Sequence, residues 1–304
     1  MEIDEIVKLY PEDFVPFLKK IYQGCIHFLG SDWKNLVEQV FLQVPFVFNR
    51  NVYDVLVERN MLEINSIVGS EELKRASGVY SSFPVLKYDG KNYSIQEIKR
   101  IIVVSNFSVD SVNSISSFIH ELGHALKAFQ NEYQIEGNML VRRSGFIEEK
   151  FLLTVQDGEV KREFISEKNM GLEEGLNCIF EEKMMQQFIE PNFKSNAYGG
   201  VSFVANILCD RFSLFDVFME AELTKDDQSL RKFLGEEHYF SLKELCDKIY
   251  QLDLKRYQVA FNSEQLFQTT KKRDQLVLQD FLELYNKIKK DRNKEDEYAR
   301  NSRS

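Results

Sequence analysis

The apolar positions of residues 111–129 recur at intervals of three and four. That spacing places them on one face of an α-helix. The run Ile101–Val104, a little earlier in the chain, is continuously apolar and predicts a strand. Ser108, Asp110 and Ser111 are each suitable as the N-cap of the helix. The pattern therefore predicts a strand followed by an amphipathic helix.

Two further segments have the pattern of a β-hairpin. Phe83–Ile95 is centred on Asp89-Gly90, and Phe146–Ile165 is centred on Asp157-Gly158. An Asp-Gly pair between two apolar runs is typical of a tight hairpin turn. The short segment Val44–Phe48 is a further candidate strand.

The rest of the chain has a mainly helical pattern. We predict one structural unit, 1–304, that consists of four parts. Residues 1–70 form a helical N-terminal part, and residues 71–182 hold the predicted strands and two helices. Residues 183–285 are again helical, and residues 286–304 form a charged tail that extends a helix beginning near Ser263. Strands grouped near the middle of a helical chain predict an α+β fold.

Composition and charge exclude several classes of protein. With 43% hydrophobic residues in 304, the chain can bury a full core. Its net charge of −9 argues against non-specific nucleic-acid binding. No run approaches the length of a membrane-spanning helix, and Met1–Lys20 lacks the pattern of a secretory signal. We therefore expect a cytoplasmic protein with no membrane association.

The four cysteines are widely spaced and lack the paired spacing of a metal-binding motif. We expect them to be reduced, buried thiols. Cys178 lies in the acidic segment 171–182, four residues after Glu174, and we expect it to have a structural role. His27 occurs in an apolar stretch and is predicted to be a core or surface histidine.

Residues 120–124 read His-Glu-Leu-Gly-His and lie within the predicted amphipathic helix. Because positions i and i+4 share a helix face, His120 and His124 can direct their imidazoles at one metal ion. Glu121 is turned by about 100° from His120, so its carboxylate lies beside the metal rather than on it. There it can take a proton from a metal-bound water.

A catalytic zinc site needs a third protein ligand and an open position for water. The segment 171–182 has a helical apolar face and carries two acidic pairs. Glu174 and Glu173 are the first candidates for the third ligand, and Glu181 and Glu182 follow them.

The segment Leu172-Glu173-Glu174-Gly175-Leu176 resembles the Leu-Asn-Glu-Gly-Phe segment of aminopeptidase-like gluzincins, a class of zinc metallopeptidases. The resemblance implies that one Zn²⁺ is bound by His120, His124 and Glu174, with Glu121 as general base. It also implies a zincin-like fold, with a small mixed sheet beside the active-site helix, and a peptide or protein substrate. The 49 residues between His124 and Glu174 are more than in the better-known members, so the hairpin at 146–165 is interpreted as an insert near the cleft.

Gluzincins also commonly use a Tyr or His to stabilise the oxyanion of the tetrahedral intermediate. Tyr198 is the first candidate for this role, because it follows the acidic helix and precedes Gly199-Gly200. The pair His238-Tyr239 is the second. Asn177 and Asp110 are candidates for the hydrogen-bond partner that a metal-bound histidine usually has.

Three functions are compatible with these residues. The first is zinc-dependent peptide-bond hydrolysis. The second is an intracellular regulatory zincin that acts on one protein partner, or that only binds its metal. The third treats His120–His124 as a coincidence in a helical interaction module, and it requires the strand, the helix phase and the acidic helix to be accidents together.

Overall fold

The computed structural model describes residues 10–48, 78–104, 107–195 and 197–301, with side chains up to Lys294. It is an α+β protein with two small sheets. The described chain forms two compact units. The first contains the residues up to Ser144, with Glu149–Ser166 and Phe180–Ser195, and the second contains Gly145–Glu148, Glu167–Ile179 and the residues from 197 onward.

The first unit begins with helices and a three-stranded sheet. The 3₁₀ turn Glu12–Phe14 leads into α1 (Val15–Leu29), and a second turn, Ser31–Trp33, leads into α2 (Lys34–Gln43). The strands are β1 (Phe46–Val47), β2 (Gly78–Tyr88) and β3 (Tyr93–Val104). Their order is β1-β3-β2, with β1 parallel and β2 antiparallel to β3. The predicted strand near residues 44–48 is therefore confirmed. Residues 1–9 and 49–70 of the predicted helical N-terminal part lie outside the described residues.

The hairpin predicted around Asp89-Gly90 is confirmed. The Asp89 carboxylate accepts hydrogen bonds from the backbone N–H groups of Lys91 and Asn92, at 2.9 and 2.8 Å, and thereby closes the turn. The residues Ile101–Val104 are in a strand, as predicted, but this strand is not separate from the hairpin. These residues are the end of β3, because β2 is long enough to pair with β3 as far as the Gly78–Val104 pair.

The motif helix α3 (Val112–Ala128) is confirmed. Its N-cap is Ser111, whose side chain accepts a hydrogen bond from the Ser114 N–H at 3.3 Å. Aromatic packing anchors the helix, because the ring of Phe118 lies 5.1 Å from the rings of both Phe46 and Phe48. All three of these rings are completely buried, so α3 is held firmly against the strand β1 and the residue that follows it.

A second sheet follows α3 and has the order β4-β5-β6-β7. Its strands are β4 (Tyr133–Glu136), β5 (Met139–Ser144), β6 (Ile147–Gln156) and β7 (Glu159–Lys168). The turn between β6 and β7 has positive φ at both Asp157 and Gly158, at 53° and 80°. Two such residues are typical of a type I′ turn, so the second predicted hairpin is confirmed. The strands β4 and β5 were not predicted.

The acidic helix is α4 (Met170–Phe188), of which the residues up to Ile179 are assigned to the second unit and those from Phe180 to the first. Every residue from Gly171 to Glu182 is buried. The predicted helix is thus confirmed, but it is covered on all sides rather than on one apolar face. Four of its glutamates are buried, and burial of an ionised carboxylate is costly unless partners compensate it.

The rest of the second unit is helical, as predicted. It contains α5 (Gly199–Phe212), α6 (Phe215–Thr224), α7 (Gln228–Leu234), α8 (Glu236–Gln258), α9 (Ser263–Gln275), a π-helical turn (Leu276–Phe281) and α10 (Leu282–Asn301). The side chains of Leu208, Phe218, Tyr239, Ile249 and Phe281 are buried in one core cluster. The helix predicted to begin near Ser263 does so, capped by the Asn262 side chain, which accepts a hydrogen bond from the Gln265 N–H at 3.0 Å.

All four cysteines lie among the described residues and are buried, as predicted, and none of them forms a disulfide. Burial raises the pKa of the Cys25 thiol to about 12, so this thiol is protonated at neutral pH. Among the described helices, none has the length and apolar character needed to cross a membrane.

Gly171 lets α4 approach α8 closely, which gives a test of the packing. A Cβ atom at Gly171 would lie 2.1 Å from the Cys246 carbonyl oxygen. Because backbone cannot move aside as a flexible side chain can, we expect Gly171→Ala to lower the free energy of unfolding by about 1–3 kcal/mol. Chemical denaturation measures this. The control is Gly199→Ala, where the nearest atom would lie 4.0 Å away; an equal loss in both variants would contradict the close packing.

Candidate metal centre

His120 and His124 lie on the same face of α3, as their spacing predicted. Their ring centroids are 5.1 Å apart. Both residues are buried, at 8% and 9% exposure. Ser116 is one turn before His120, so the positions 116, 120 and 124 form one polar stripe along the helix. We refer to these three positions as the α3 stripe.

Glu181 is the hydrogen-bond partner of His120. Its carboxylate lies 3.1 Å from His120 Nδ1, and it also accepts hydrogen bonds from the hydroxyl groups of Ser116 and Ser195. Because a carboxylate only accepts, Nδ1 of His120 carries the proton in this contact. A neutral imidazole with its proton on Nδ1 carries its lone pair on Nε2, which is the nitrogen that such a histidine uses to bind a metal.

The sequence did not identify this role for Glu181. The sequence indicated Asn177 and Asp110 as candidates for the hydrogen-bond partner of a histidine. It indicated Glu181 only as a candidate for the third ligand, behind Glu174 and Glu173. The signal that could have found it is helical spacing, since Glu181 follows Glu174 by seven residues and therefore lies on the same face of α4.

The neighbouring residue Glu182 has different hydrogen-bond partners. Its carboxylate accepts hydrogen bonds from Lys194 Nζ at 2.6 Å and from Gln186 Nε2 at 3.1 Å. It also accepts one from the Ser195 N–H at 3.3 Å. These contacts tie α4 to the segment that follows it, and they give Glu182 a structural role.

Glu173 is likewise engaged with backbone. It is completely buried, and its carboxylate accepts a hydrogen bond from the Phe146 N–H at 2.9 Å. Gly145, just before Phe146, has φ of +55°, and a Cβ atom there would overlap the Glu173 carboxylate. The Glu173 carboxylate thus fills the space beside Gly145, where only glycine fits. Its hydrogen bond to the Phe146 N–H stabilises this turn.

Glu174 points in a different direction from Glu173, because successive helical residues are turned by about 100°. It shares its face of α4 with Cys178 and Glu181, at spacings of four and three. We refer to positions 174, 178 and 181 as the α4 stripe. The hydrogen bond between His120 and Glu181 joins the α3 stripe to the α4 stripe.

Two donor sets occur among the described residues. His120, His124 and Glu174 form one group of residues that could hold a metal ion, and His120, Cys178 and Glu181 form another. In the second set Glu181 already accepts three hydrogen bonds, and the Cys178 thiol donates to the Ala197 carbonyl oxygen at 3.5 Å. Two imidazoles and one carboxylate are a donor set that catalytic zinc sites use, so the first set fits a zinc ion better.

Glu121 is held by the strand β2. The backbone N–H of Tyr80 donates a hydrogen bond to Glu121 Oε2 at 2.6 Å. Gly78, two residues earlier in β2, leaves room for this side chain, because a Cβ atom there would lie 2.9 Å from Glu121 Cγ. The carboxylate next to His120 is therefore held in place by a short hydrogen bond from the backbone.

The candidates for stabilising the oxyanion are Tyr198 and the pair His238-Tyr239. Tyr198 precedes α5 with a left-handed backbone, φ +44°, and its ring centroid lies 5.3 Å from that of Tyr250. It directly follows Ala197, the residue that contacts Cys178 of the α4 stripe. Tyr239 donates its hydroxyl to Asp227 at 2.8 Å, and the His238 ring lies 3.1 Å from Asp291. The assignment of Tyr198 stays a prediction.

The other predicted residues have ordinary environments. Asp110 is exposed in the turn before α3, where its N–H donates to Ser108 Oγ. His27 is an exposed residue of α1, and its ring meets Phe188 edge-on with centroids 6.0 Å apart. Neither residue belongs to a metal-binding group among the described residues.

Comparison with known proteins gives no relative. No protein-family model matches the chain, and neither the search of curated proteins nor that of solved structures found a match. The resemblance to gluzincins therefore rests on the two short motifs at residues 120–124 and 172–176.

Proposed function

We propose that the protein is a zinc-dependent peptidase in which His120, His124 and Glu174 bind one Zn²⁺. The observation that carries this proposal is the hydrogen bond from His120 to the buried carboxylate of Glu181. Zinc-binding histidines almost always have such a partner on their second ring nitrogen. The contact also places the proton of His120 on Nδ1, which is the tautomer that a histidine needs to bind a metal through Nε2.

The three ligand side chains are suited to a catalytic rather than a purely structural zinc. They supply three donors, which leaves a fourth position for water or substrate. A zinc ion held by His120, His124 and Glu174 would supply Lewis-acid chemistry, which polarises a carbonyl and makes water more acidic. The protein supplies the ligands, the orientation of His120 and the exclusion of bulk solvent from the buried imidazoles.

Glu121 is the proposed general base. Its carboxylate takes a proton from the attacking water and then delivers a proton to the leaving amine nitrogen. The hydrogen bond from the Tyr80 N–H holds one carboxylate oxygen in place. Tyr198 is the proposed donor to the developing oxyanion, supported by its place beside Ala197, which contacts the α4 stripe.

A comparison of Glu181→Gln with Glu182→Gln tests the orientation of His120. Glutamine is almost the same size, but it is a weaker acceptor for the His120 N–H. We expect Glu181→Gln to weaken zinc binding about 10–100-fold, as measured by competition with a chromophoric chelator.

Glu182→Gln is the matched control, because Glu182 is also buried on α4 but contacts Lys194 and Gln186 instead of His120. We expect its zinc affinity to equal that of the unmodified protein. If both variants lost affinity equally, the contact between Glu181 and His120 would have no special role in metal binding.

An unbiased peptide library tests the reaction itself. The zinc-loaded protein is expected to cleave peptide bonds with a recurrent sequence preference, detected by mass spectrometry of the products. Chelation should stop the cleavage and added zinc should restore it. A protein that holds one zinc but cleaves no peptide would contradict general peptidase activity and favour the partner-directed or non-catalytic zincin.

A further inference from the structure

A cluster of charged side chains is buried beside β2, apart from the proposed metal ligands. At its centre is Glu132, which is 1% exposed. Its carboxylate accepts hydrogen bonds from Arg100 Nε at 2.9 Å and from Arg142 Nε at 3.2 Å. Ser82 and Tyr80 also donate their hydroxyl groups to it. Arg142 in turn pairs with Glu149 at 2.6 Å. We call these six residues the Glu132 cluster.

The cluster links the two sheets of the first unit. Arg100 belongs to β3 and Arg142 to β5, while Glu132 directly precedes β4. Its two guanidinium groups are balanced by two carboxylates. Buried ion pairs of this kind contribute little net stability compared with apolar packing, because desolvation offsets their attraction. What they do provide is a fixed geometry, since each partner must keep its position to stay paired.

Tyr80 connects this cluster to Glu121. Its phenol hydroxyl lies 3.2 Å from a Glu132 oxygen, and its backbone N–H donates to Glu121 at 2.6 Å. Both groups belong to one residue, so an anchored ring restricts the positions that the backbone amide can take. Burial, and next the negative charge of Glu132, raise the pKa of the Tyr80 phenol well above its ordinary value. The phenol therefore stays protonated and donates to Glu132.

We propose that Tyr80 and Glu132 are positioning residues for Glu121. The Glu132 cluster fixes the phenol of Tyr80, and the Tyr80 backbone then fixes the carboxylate that acts as base. The catalytic consequence rests on the proposed function. The mechanical link between Glu132, Tyr80 and Glu121 is independent of it.

The test compares the unmodified protein with Tyr80→Phe, which removes only the hydroxyl that reaches Glu132. Hydrogen exchange of the residue-80 amide is measured by NMR on zinc-free protein. We expect its protection to fall about tenfold as the hydrogen bond to Glu121 loosens. The amides of Val79 and Ser81 face β3, and we expect their protection to stay unchanged. Tyr93→Phe is the control, because the Tyr93 hydroxyl contacts the Leu153 carbonyl oxygen instead of Glu132.

The second measurement uses the zinc-loaded protein. Tyr80→Phe is expected to lower kcat about tenfold, as a slightly displaced base should, with KM and zinc content unchanged. Equal protection at residue 80 in both proteins would overturn the proposal, and so would a matching loss at Val79 and Ser81, which indicates general loosening. If neither protein hydrolyses peptides, the proposed function fails, and the exchange result alone decides whether Glu132 positions Glu121.

Discussion

Glu121→Gln is expected to abolish peptide hydrolysis while leaving the zinc in place. The amide is nearly isosteric with the carboxylate, and its oxygen can still accept the hydrogen bond from the Tyr80 N–H. It cannot take a proton from water at neutral pH. Loss of a general base lowers the rate about 10²–10⁴-fold, so we expect kcat to fall by that factor with little change in KM.

The measurement needs both kinetics and metal analysis on the same preparation. Zinc content, determined by mass spectrometry, should remain one per chain in Glu121→Gln. Hydrolysis at an undiminished rate would remove Glu121 from the mechanism. Loss of zinc together with activity would show instead that Glu121 helps to bind the metal, contrary to its proposed role.

Glu174→Gln has the second large effect, because it removes the only charged ligand of the proposed centre. A neutral amide oxygen is a much weaker zinc ligand than a carboxylate. We expect zinc affinity to fall by more than about 100-fold, beyond the effect of losing an outer partner such as Glu181. Hydrolysis should fall in proportion to the lost zinc at low metal concentration.

The adjacent glutamate provides the control for that experiment. Glu173 is buried on the same helix, but its carboxylate accepts a hydrogen bond from the Phe146 N–H. A glutamine oxygen can accept that bond too, so Glu173→Gln should keep its zinc and unfold at a similar denaturant concentration. The opposite pattern, with zinc lost from Glu173→Gln and kept in Glu174→Gln, would exchange the two assignments.

Most of the helices and strands could be predicted from local sequence patterns. The two Asp-Gly turns fix the hairpins around Asp89 and Asp157 because few residues adopt the backbone that a tight turn requires. The apolar spacing of 111–129 predicted α3 almost to its ends. The extent of β3 was harder, since the charged residues between Tyr93 and Arg100 hide the continuity that pairing with β2 imposes.

The part of the candidate site that lies within one helix turn could be predicted from the sequence. The part that depends on contacts between different elements could not. His120, Glu121 and His124 follow from helical spacing alone. Glu181 does not, because four glutamates on one helix resemble a solvated surface in the sequence. Only the tertiary structure shows that α4 is buried on all sides and that Glu173, Glu181 and Glu182 have different partners. The Glu132 cluster is of the same kind, since it joins residues from four strands and one loop.

The central claim is that His120 and His124 bind one zinc ion, and native mass spectrometry of zinc-reconstituted protein tests it most directly. After excess metal is removed, the unmodified chain is expected to carry one zinc, and His120→Ala and His124→Ala are expected to carry none while remaining folded. A folded, unmodified chain that retains no zinc, or variants that retain it fully, would contradict the account.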